Sequence, residues 1–145
     1  MKTQLRTIFE QAVSAFNSGD YTGSLGPLLH ADIVMNEVDD PQAPPHSGKN
    51  EVLNYLTSTQ STKKPQFRYV DSADPGIRGP FEGPHDTDNK PNTKHGQISG
   101  IGKYQDISVA APGQDLTDPF LVRYFFLFRK EAGSWLLVEA VATPL

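Results

Sequence analysis

Residues 120–143 read FLVRYFFLFRKEAGSWLLVEAVAT, two apolar segments joined by a short polar turn. Aromatic and β-branched residues favour strands, and the turn at 131–134, EAGS, is typical of a hairpin. The sequence therefore predicts a long antiparallel hairpin with strands over 120–129 and 135–143. Apolar residues lie on both faces of the first strand, at Phe120, Val122, Tyr124, Phe126 and Phe128 on one and Leu121, Phe125 and Leu127 on the other. Both faces should be covered, and the pattern leaves open which face points inward.

Further strands are predicted upstream of the hairpin, over residues 33–38, 67–70 and 97–109. Gly100 and Gly102 mark a bend or a bulge in the last of them. The segment 39–45, DDPQAPP, must be a loop because proline has no N–H to give to a strand ladder.

Three helices are predicted in the first half of the chain. The first has apolar residues at helical spacing, at Leu5, Ile8, Phe9, Ala12, Val13 and Phe16. Asp20 is placed to cap a second, which Gly26 and Pro27 would break or tighten into 3₁₀ form. Ser47-Gly48 opens a third, with buried candidates at Val52, Leu53, Tyr55 and Leu56. Helices in one half and strands in the other predict an α+β domain with the helices on one face of a bent sheet, a cone with an apolar pocket.

Composition limits the classes of function. The chain has 145 residues, 13 Lys and Arg against 17 Asp and Glu, a net charge of −4 and no cysteine. This length suits a single domain over residues 1–145, in which the Gly- and Pro-containing segment 72–95 is predicted to be a long loop insertion. Mild acidity argues against nucleic acid as the main partner, and the lack of cysteine excludes thiol nucleophiles. We expect a cytoplasmic protein that does not enter a membrane, since no apolar run could span a bilayer.

Three motifs follow one another in the first third of the chain: AFNSGDY at 15–21, LLHADIV at 28–34 and HSGKNEV at 46–52. In this order they resemble the NTF2-like superfamily, in particular its SnoaL-like branch, and the terminal hairpin is similar to theirs. The likeness covers most of the chain except about residues 72–95. The resemblance implies a cone-shaped α+β fold, with three N-terminal helices packed on a strongly curved antiparallel sheet. It also implies a pocket between helices and sheet and dimerisation through the outer sheet face.

The superfamily includes steroid isomerases, polyketide cyclases, dehydratases, epoxide hydrolases and non-catalytic members, so the fold does not fix the reaction. A steroid isomerase of this family uses a carboxylate base near the end of the first strand, with a Tyr and a protonated Asp as hydrogen-bond donors. Here the base position falls on Glu37 or on Asp39, with Asp40 beside it. The Tyr position falls on Ala12, and the Asp position lies within 125–127, which contain no acid. The resemblance therefore does not imply steroid-type isomerisation.

The candidate catalytic residues are Glu37, Asp39, Asp40 and His46. They lie in one short segment, and a carboxylate beside a histidine is a common acid–base pair near neutral pH. Two interpretations stay open, since acidic residues beside a proline also decorate solvated turns, and His46 also simply precedes a helix. His85 and His95 share the predicted loop with two aspartates, but their spacing fits no standard site. We expect no metal and no cofactor.

For the pocket wall, the candidate ligand-binding residues are Ala12, Phe16, Tyr55, Leu56 and Phe126. The predicted function is binding of a small apolar molecule in the cone, with weak acid–base chemistry of the isomerase, cyclase or dehydratase type. The alternative is a non-catalytic association module with a filled cone. A homodimer through the outer sheet face is expected, because large apolar patches are rarely left exposed on monomers.

Overall fold

In the computed structural model, the described residues are 3–59, 62–71, 73–84 and 95–145. Helix α1 spans Gln4–Ser18, a short π turn at Tyr21–Leu25 continues as a 3₁₀ turn at Gly26–Leu28, and helix α2 spans Lys49–Thr59. The strands of the described part are β1 Leu29–Met35, β2 His46–Ser47, β3 Lys63–Arg68, β4 Arg78–Pro84, β5 His95–Ser108, β6 Phe120–Glu131 and β7 Ser134–Pro144. Among these elements no helix has both the length and the apolar character needed to cross a membrane.

Helix α1 covers the inner face of the sheet, as its apolar spacing predicts. The helix begins after Thr3, whose side chain accepts a hydrogen bond from the Arg6 N–H at 3.0 Å. It ends at Gly19, whose φ of 84° suits glycine in particular. Just before that end, the Asn17 side chain pairs with both the N–H and the C=O of Phe67 at 2.8 Å, which fixes the helix to β3.

The sheet is strongly curved and has the strand order β2-β1-β7-β6-β5-β3, with β4 also pairing with β5. The predicted α+β class and the helix-covered sheet are confirmed. The expectation of a wholly antiparallel sheet is wrong in one pair, because β1 runs parallel to β7. Parallel neighbours need a long connection, and here it is supplied by residues 36–133, most of the domain.

Part of the segment predicted as a loop, 72–95, is a strand. β4 pairs antiparallel with β5 from Arg78↔Ile101 to Pro84↔Gly96. In the described part of the chain β4 pairs with β5 alone, and proline is tolerated in such an edge strand. The prolines of this segment therefore favoured a loop in the prediction without excluding a strand. Residues 85–94, which include His85 of the histidine pair considered above, lie outside the described residues.

Along one edge, β5 pairs first with β4 and then with β3. Two glycines lie where the partner strand changes. A Cβ at Gly100 would lie 2.4 Å from the carbonyl oxygen of Arg78, and one at Gly102 would lie 2.6 Å from that of Arg68. Both distances are far below van der Waals contact, so glycine is what allows the strands to approach here.

The inner face of β6 is the one that carries Val122, Tyr124 and Phe128, which are all at most 1% exposed. Leu121, Phe125 and Leu127 are partly exposed on the outer face. The structure thus decides the question that the apolar pattern on both faces left open.

Candidate functional site

A cavity lies between the two α-helices and the inner face of the sheet. Its volume is about 80 Å³, several times the roughly 10–15 Å³ that a single water needs. Apolar side chains from both layers form most of its wall, among them Phe9, Val13, Met35, Phe67 and Leu137. The five predicted wall residues all line it as well: Ala12, Phe16, Tyr55, Leu56 and Phe126. The cone is therefore hollow.

One end of the cavity is polar and consists of Asp39, Lys63 and Asp106. The Lys63 ammonium donates to Asp39 Oδ2 at 2.5 Å and to Asp106 Oδ2 at 3.4 Å. The side chains of Asp39 and Lys63 are 41% and 35% exposed, whereas that of Asp106 is only 3% exposed. The polar end therefore lies where solvent reaches the cavity, with Asp106 as its buried member.

Asp106 is held in place through its backbone. Its N–H donates to Thr117 Oγ1 at 2.9 Å, and its C=O accepts from the Leu116 N–H at 2.8 Å. Asp106 is among the residues that line the cavity, and its Oδ1 is buried without a hydrogen-bond partner among the described residues. Burial raises the pKa of the Asp106 carboxyl, and the negative charge of Asp39 raises it further, while Lys63 opposes both effects.

The charges at the polar end also act on its neighbours. Burial lowers the pKa of the Lys63 ammonium, but the hydrogen bond to Asp39 and the charge of Asp106 outweigh it, so the pKa is raised. Burial and then the charge of Asp106 raise the pKa of Tyr21 to about 12, and the same two causes raise the pKa of Tyr104. Lys63 therefore stays charged near neutral pH, and the tyrosines keep their hydroxyl protons.

The predicted catalytic residues separate in the structure. Asp39 lines the cavity, whereas Asp40 is exposed and takes part in a turn through its backbone. His46 stacks on the ring of Tyr55 with centroids 4.0 Å apart, and its Nε2 lies 3.8 Å from Glu37 Oε1. That distance is too long for a hydrogen bond.

The other nitrogen of His46 faces Glu51, with Nδ1 and Oε1 3.5 Å apart. His46 and Glu37 thus lie behind Tyr55, a wall residue, and not among the residues that line the cavity. Burial and the nearby Glu37 carboxylate raise the pKa of Tyr55. The structure brings Glu37 and His46 near each other and directs only Asp39 into the cavity.

Sequence reasoning missed Asp106 and Lys63, although β5 carries a signal for the first. Along this strand, Ile98, Gly102 and Tyr104 are buried and lie on one face. Asp106 follows two residues after Tyr104 and lies on the same face. An acid in phase with buried positions is unusual and marks a candidate site. Lys63 carries no comparable signal, because a lysine at the start of a strand is usually solvated.

The arrangement suits proton transfer. It places two carboxylates of unequal burial around one ammonium, at the end of an apolar cavity, and such pairs take different proton affinities. Within the described ranges, no group of three His, Cys, Asp or Glu side chains could hold a metal ion.

No family model matches the chain, and no curated protein does. Solved structures do match, 287 chains in all. A ketosteroid isomerase-like protein from Erwinia carotovora atroseptica SCRI1043 has a TM-score of 0.67 at 16% identity, over 98% of this chain and 94% of that one. A protein from Streptomyces avermitilis named as a dehydratase of the NTF2-like family has a TM-score of 0.64 at 18% identity, over 98% and 94%.

A third similar structure, from Xanthomonas campestris, is named as a calcium/calmodulin dependent protein kinase II association domain. It has a TM-score of 0.60 at 14% identity, over 97% of this chain and 85% of that one. The neighbours confirm the fold that the three sequence motifs led us to expect. This chain has the NTF2-like fold.

Proposed function

We propose that this protein binds a small, mainly apolar molecule in its cavity and exchanges protons with it through Asp39 and Asp106. The observation that carries the proposal is that Asp106, a buried acid whose Oδ1 has no hydrogen-bond partner among the described residues, lies with Asp39 and Lys63 in the wall of a mainly apolar cavity. An unsatisfied buried polar atom costs stability, so a carboxyl group at this position calls for a functional reason.

The reaction type belongs with acid–base chemistry of the isomerase, cyclase or dehydratase kind. Asp39 and Asp106 supply the proton acceptor and donor, and Lys63 supplies a positive charge beside them. Similar structures are named as isomerase-like and dehydratase proteins, which agrees with this chemistry. The hollow cone does not favour the alternative of a filled association module.

Binding is tested first, by ligand-observed NMR with small naphthalene derivatives. Ala12→Leu extends a side chain into the cavity and is expected to abolish binding. Ser14→Leu places the same side chain on the exposed face of the same helix and serves as the control. If both variants bind as well as the wild type, the ligand does not occupy this cavity.

Proton exchange is tested next with 2-tetralone, a small apolar ketone whose C–H groups beside the carbonyl are weakly acidic. In deuterated buffer, a carboxylate of the pair removes a proton from the bound ketone and deuterium from solvent replaces it. We expect the wild type to accelerate this exchange, and Asp106→Asn and Asp39→Asn each to reduce the acceleration by about tenfold or more. Asp118→Asn, an exposed acid, is the control. Binding without any acceleration would remove the acid–base part of the proposal.

We also propose that two copies pair through the outer sheet face. Ile101, Leu121, Phe125 and Leu127 lie on that face and are only partly exposed. The similar structure named as an association domain agrees with self-association. Phe125→Glu is expected to shift the protein to monomer in sedimentation velocity, whereas Val70→Glu, at an exposed position outside the strands, leaves the association unchanged. A wild type that stays monomeric at high concentration would refute the pairing.

A further inference from the structure

We propose that Asn36 is the positioning residue of Asp39. It holds the loop that carries this carboxylate, so that Asp39 reaches Lys63 at the polar end of the cavity. The inference rests on the proposed function, because it concerns the geometry that proton exchange through Asp39 needs. Asn36 acts through Asp39 and takes no part in the proton transfer itself.

Asp39 lies in the loop that joins β1 to β2. At the base of this loop Met35 pairs with His46, so the chain leaves the sheet and returns to it at neighbouring positions. Within the loop, the Asp40 N–H donates to the Glu37 C=O at 3.3 Å, which closes a turn that contains Asp39. The position of Asp39 therefore depends on how the start of the loop is held.

Asn36 is the first residue of this loop, and its side chain fastens the loop to β7. Its Nδ2 donates to the Ala142 C=O at 2.8 Å, and its Oδ1 accepts from the Ala142 N–H at 3.0 Å. The backbone pairing of β1 with β7 runs as far as Met35↔Ala140, so the side chain of Asn36 extends this attachment past the end of β1. The loop is thereby held just ahead of the turn that carries Asp39.

Asparagine suits this role because one short side chain carries both a donor and an acceptor. The two together satisfy the N–H and the C=O of Ala142, a buried residue that lies beyond the reach of the β1 backbone. An aspartate would offer no donor, and an alanine would leave both groups of Ala142 without this partner. Asn36 also lines the cavity, so the anchor lies close to the site that it serves.

The ion pair with Lys63 does not hold Asp39 by itself. The side chains of Asp39 and Lys63 are 41% and 35% exposed, and ion pairs between such side chains contribute little to stability. The 2.5 Å contact between Lys63 Nζ and Asp39 Oδ2 therefore needs a backbone that already brings the two side chains together. For Lys63 that backbone is β3, which pairs with β5 from Lys63↔Ser108 onward. For Asp39 the support comes from Asn36.

A second asparagine makes the same kind of pair and provides a matched control. The Asn17 side chain bonds to both the N–H and the C=O of Phe67 at 2.8 Å and holds α1 on β3. Asn17→Ala should therefore remove the same two kinds of hydrogen bond as Asn36→Ala, without touching the loop that carries Asp39.

The first test needs no ligand. A water-soluble carbodiimide joins a carboxylate and an amine that are in contact, with loss of water, and mass spectrometry identifies the amide between Asp39 and Lys63. We expect this cross-link in the wild type and in Asn17→Ala. Its yield should be at least about fivefold lower in Asn36→Ala, because the loss of two hydrogen bonds shifts a local equilibrium by about that factor or more.

Asn36→Asp keeps the acceptor and loses the donor, so its yield should lie between those of the wild type and Asn36→Ala. This variant keeps the test decisive if Asn36→Ala does not fold. A yield in the Asn36 variants equal to that of the wild type would overturn the inference. A wild type that gives no cross-link between Asp39 and Lys63 would do the same.

The second test measures the exchange of 2-tetralone protons for deuterium. Asn36→Ala should lower kcat about tenfold, as Asp39→Asn does, and leave KM within about threefold, because the cavity still binds the ketone. The double variant Asn36→Ala/Asp39→Asn should be no slower than Asp39→Asn alone, since Asn36 acts through Asp39. Asn17→Ala should keep the kcat of the wild type.

The outcomes separate this inference from the proposed function. Independent, multiplying losses of kcat in the double variant would overturn the positioning role of Asn36 and leave the proposed function standing. A wild type that binds 2-tetralone without accelerating the exchange would refute the acid–base function. The cross-linking yield would then still decide whether Asn36 places Asp39 against Lys63.

Discussion

Ala12→Leu should make the protein more stable while it abolishes ligand binding. Ala12 is 6% exposed and lines the cavity, so a larger side chain at this position extends into free space. Leucine adds three carbons, and burial of each contributes about 0.8 kcal/mol. Ordering the new side chain costs about 0.5–1 kcal/mol, and the lower helix propensity of leucine costs a few tenths. The free energy of unfolding should therefore rise by about 1–2 kcal/mol.

Thermal and urea unfolding measure this difference. For a domain of this size, about 1–2 kcal/mol corresponds to a rise in Tm of roughly 3–6 °C. Ser14→Leu, on the exposed side of α1, should leave Tm within about 1–2 °C of the wild type, because surface substitutions seldom exceed about 0.5 kcal/mol.

The opposite sign would refute the reasoning. Overpacking of a filled core costs about 1–3 kcal/mol. A clear loss of stability in Ala12→Leu would therefore show that α1 packs tightly on the sheet and that the cone is not hollow in solution. That result would favour the alternative, a non-catalytic association module with a filled cone.

Three further predictions concern individual buried groups. The pKa of Asp106 is raised in the folded state, so its protonated form stabilises the fold. This stabilisation is fully present at a pH below the ordinary pKa of an aspartate and is lost as the pH rises through the raised, folded-state pKa. Urea unfolding between about pH 4 and about pH 8 should show this loss of stability in the wild type and not in Asp106→Asn. Gly100→Ala should destabilise the protein by at least about 2–3 kcal/mol in the same assay, because the new Cβ would lie 2.4 Å from the Arg78 carbonyl oxygen; Gly26→Ala, with its nearest contacts at 3.5 Å, should be nearly neutral. Tyr124→Phe should raise the free energy of unfolding by about 1 kcal/mol, because it removes a buried hydroxyl without a partner among the described residues; a decrease would mean that the hydroxyl is hydrogen-bonded in solution.

The helices and the terminal hairpin could be predicted because their signals are local. The apolar spacing of α1 is confirmed by the burial of Phe9 and Val13, and the hairpin pairs from Val122↔Pro144 to Glu131↔Ser134. The parallel pair of β1 and β7 could not be predicted in this way, since nothing in either strand records which distant segment it will meet.

The candidate site was predictable only in part, for a physical reason. Asp39 is close in sequence to the other acids of its loop, and only the fold decides which of them turns inward. Asp39 pairs with Lys63, which also contacts Asp106, and these two residues come from strands β3 and β5. The side chains that complete the site are distant in sequence, and their meeting depends on the register of β3 and β5, which pairs Pro65 with Asp106.

The inner face of β5 supplies the buried acid of the cavity wall. Gly100 and Gly102 have no side chains, which lets the neighbouring strands come close and makes room for the side chains of Tyr124 and Phe67. Beyond them the same face continues with Tyr104 and Asp106, where β5 pairs with β3. A larger residue at Asp106 would fill the space beside Lys63, and an apolar one would leave the ammonium with Asp39 alone. One alternating face thus carries both the glycines at which β5 changes its partner strand and the buried acid of the cavity wall.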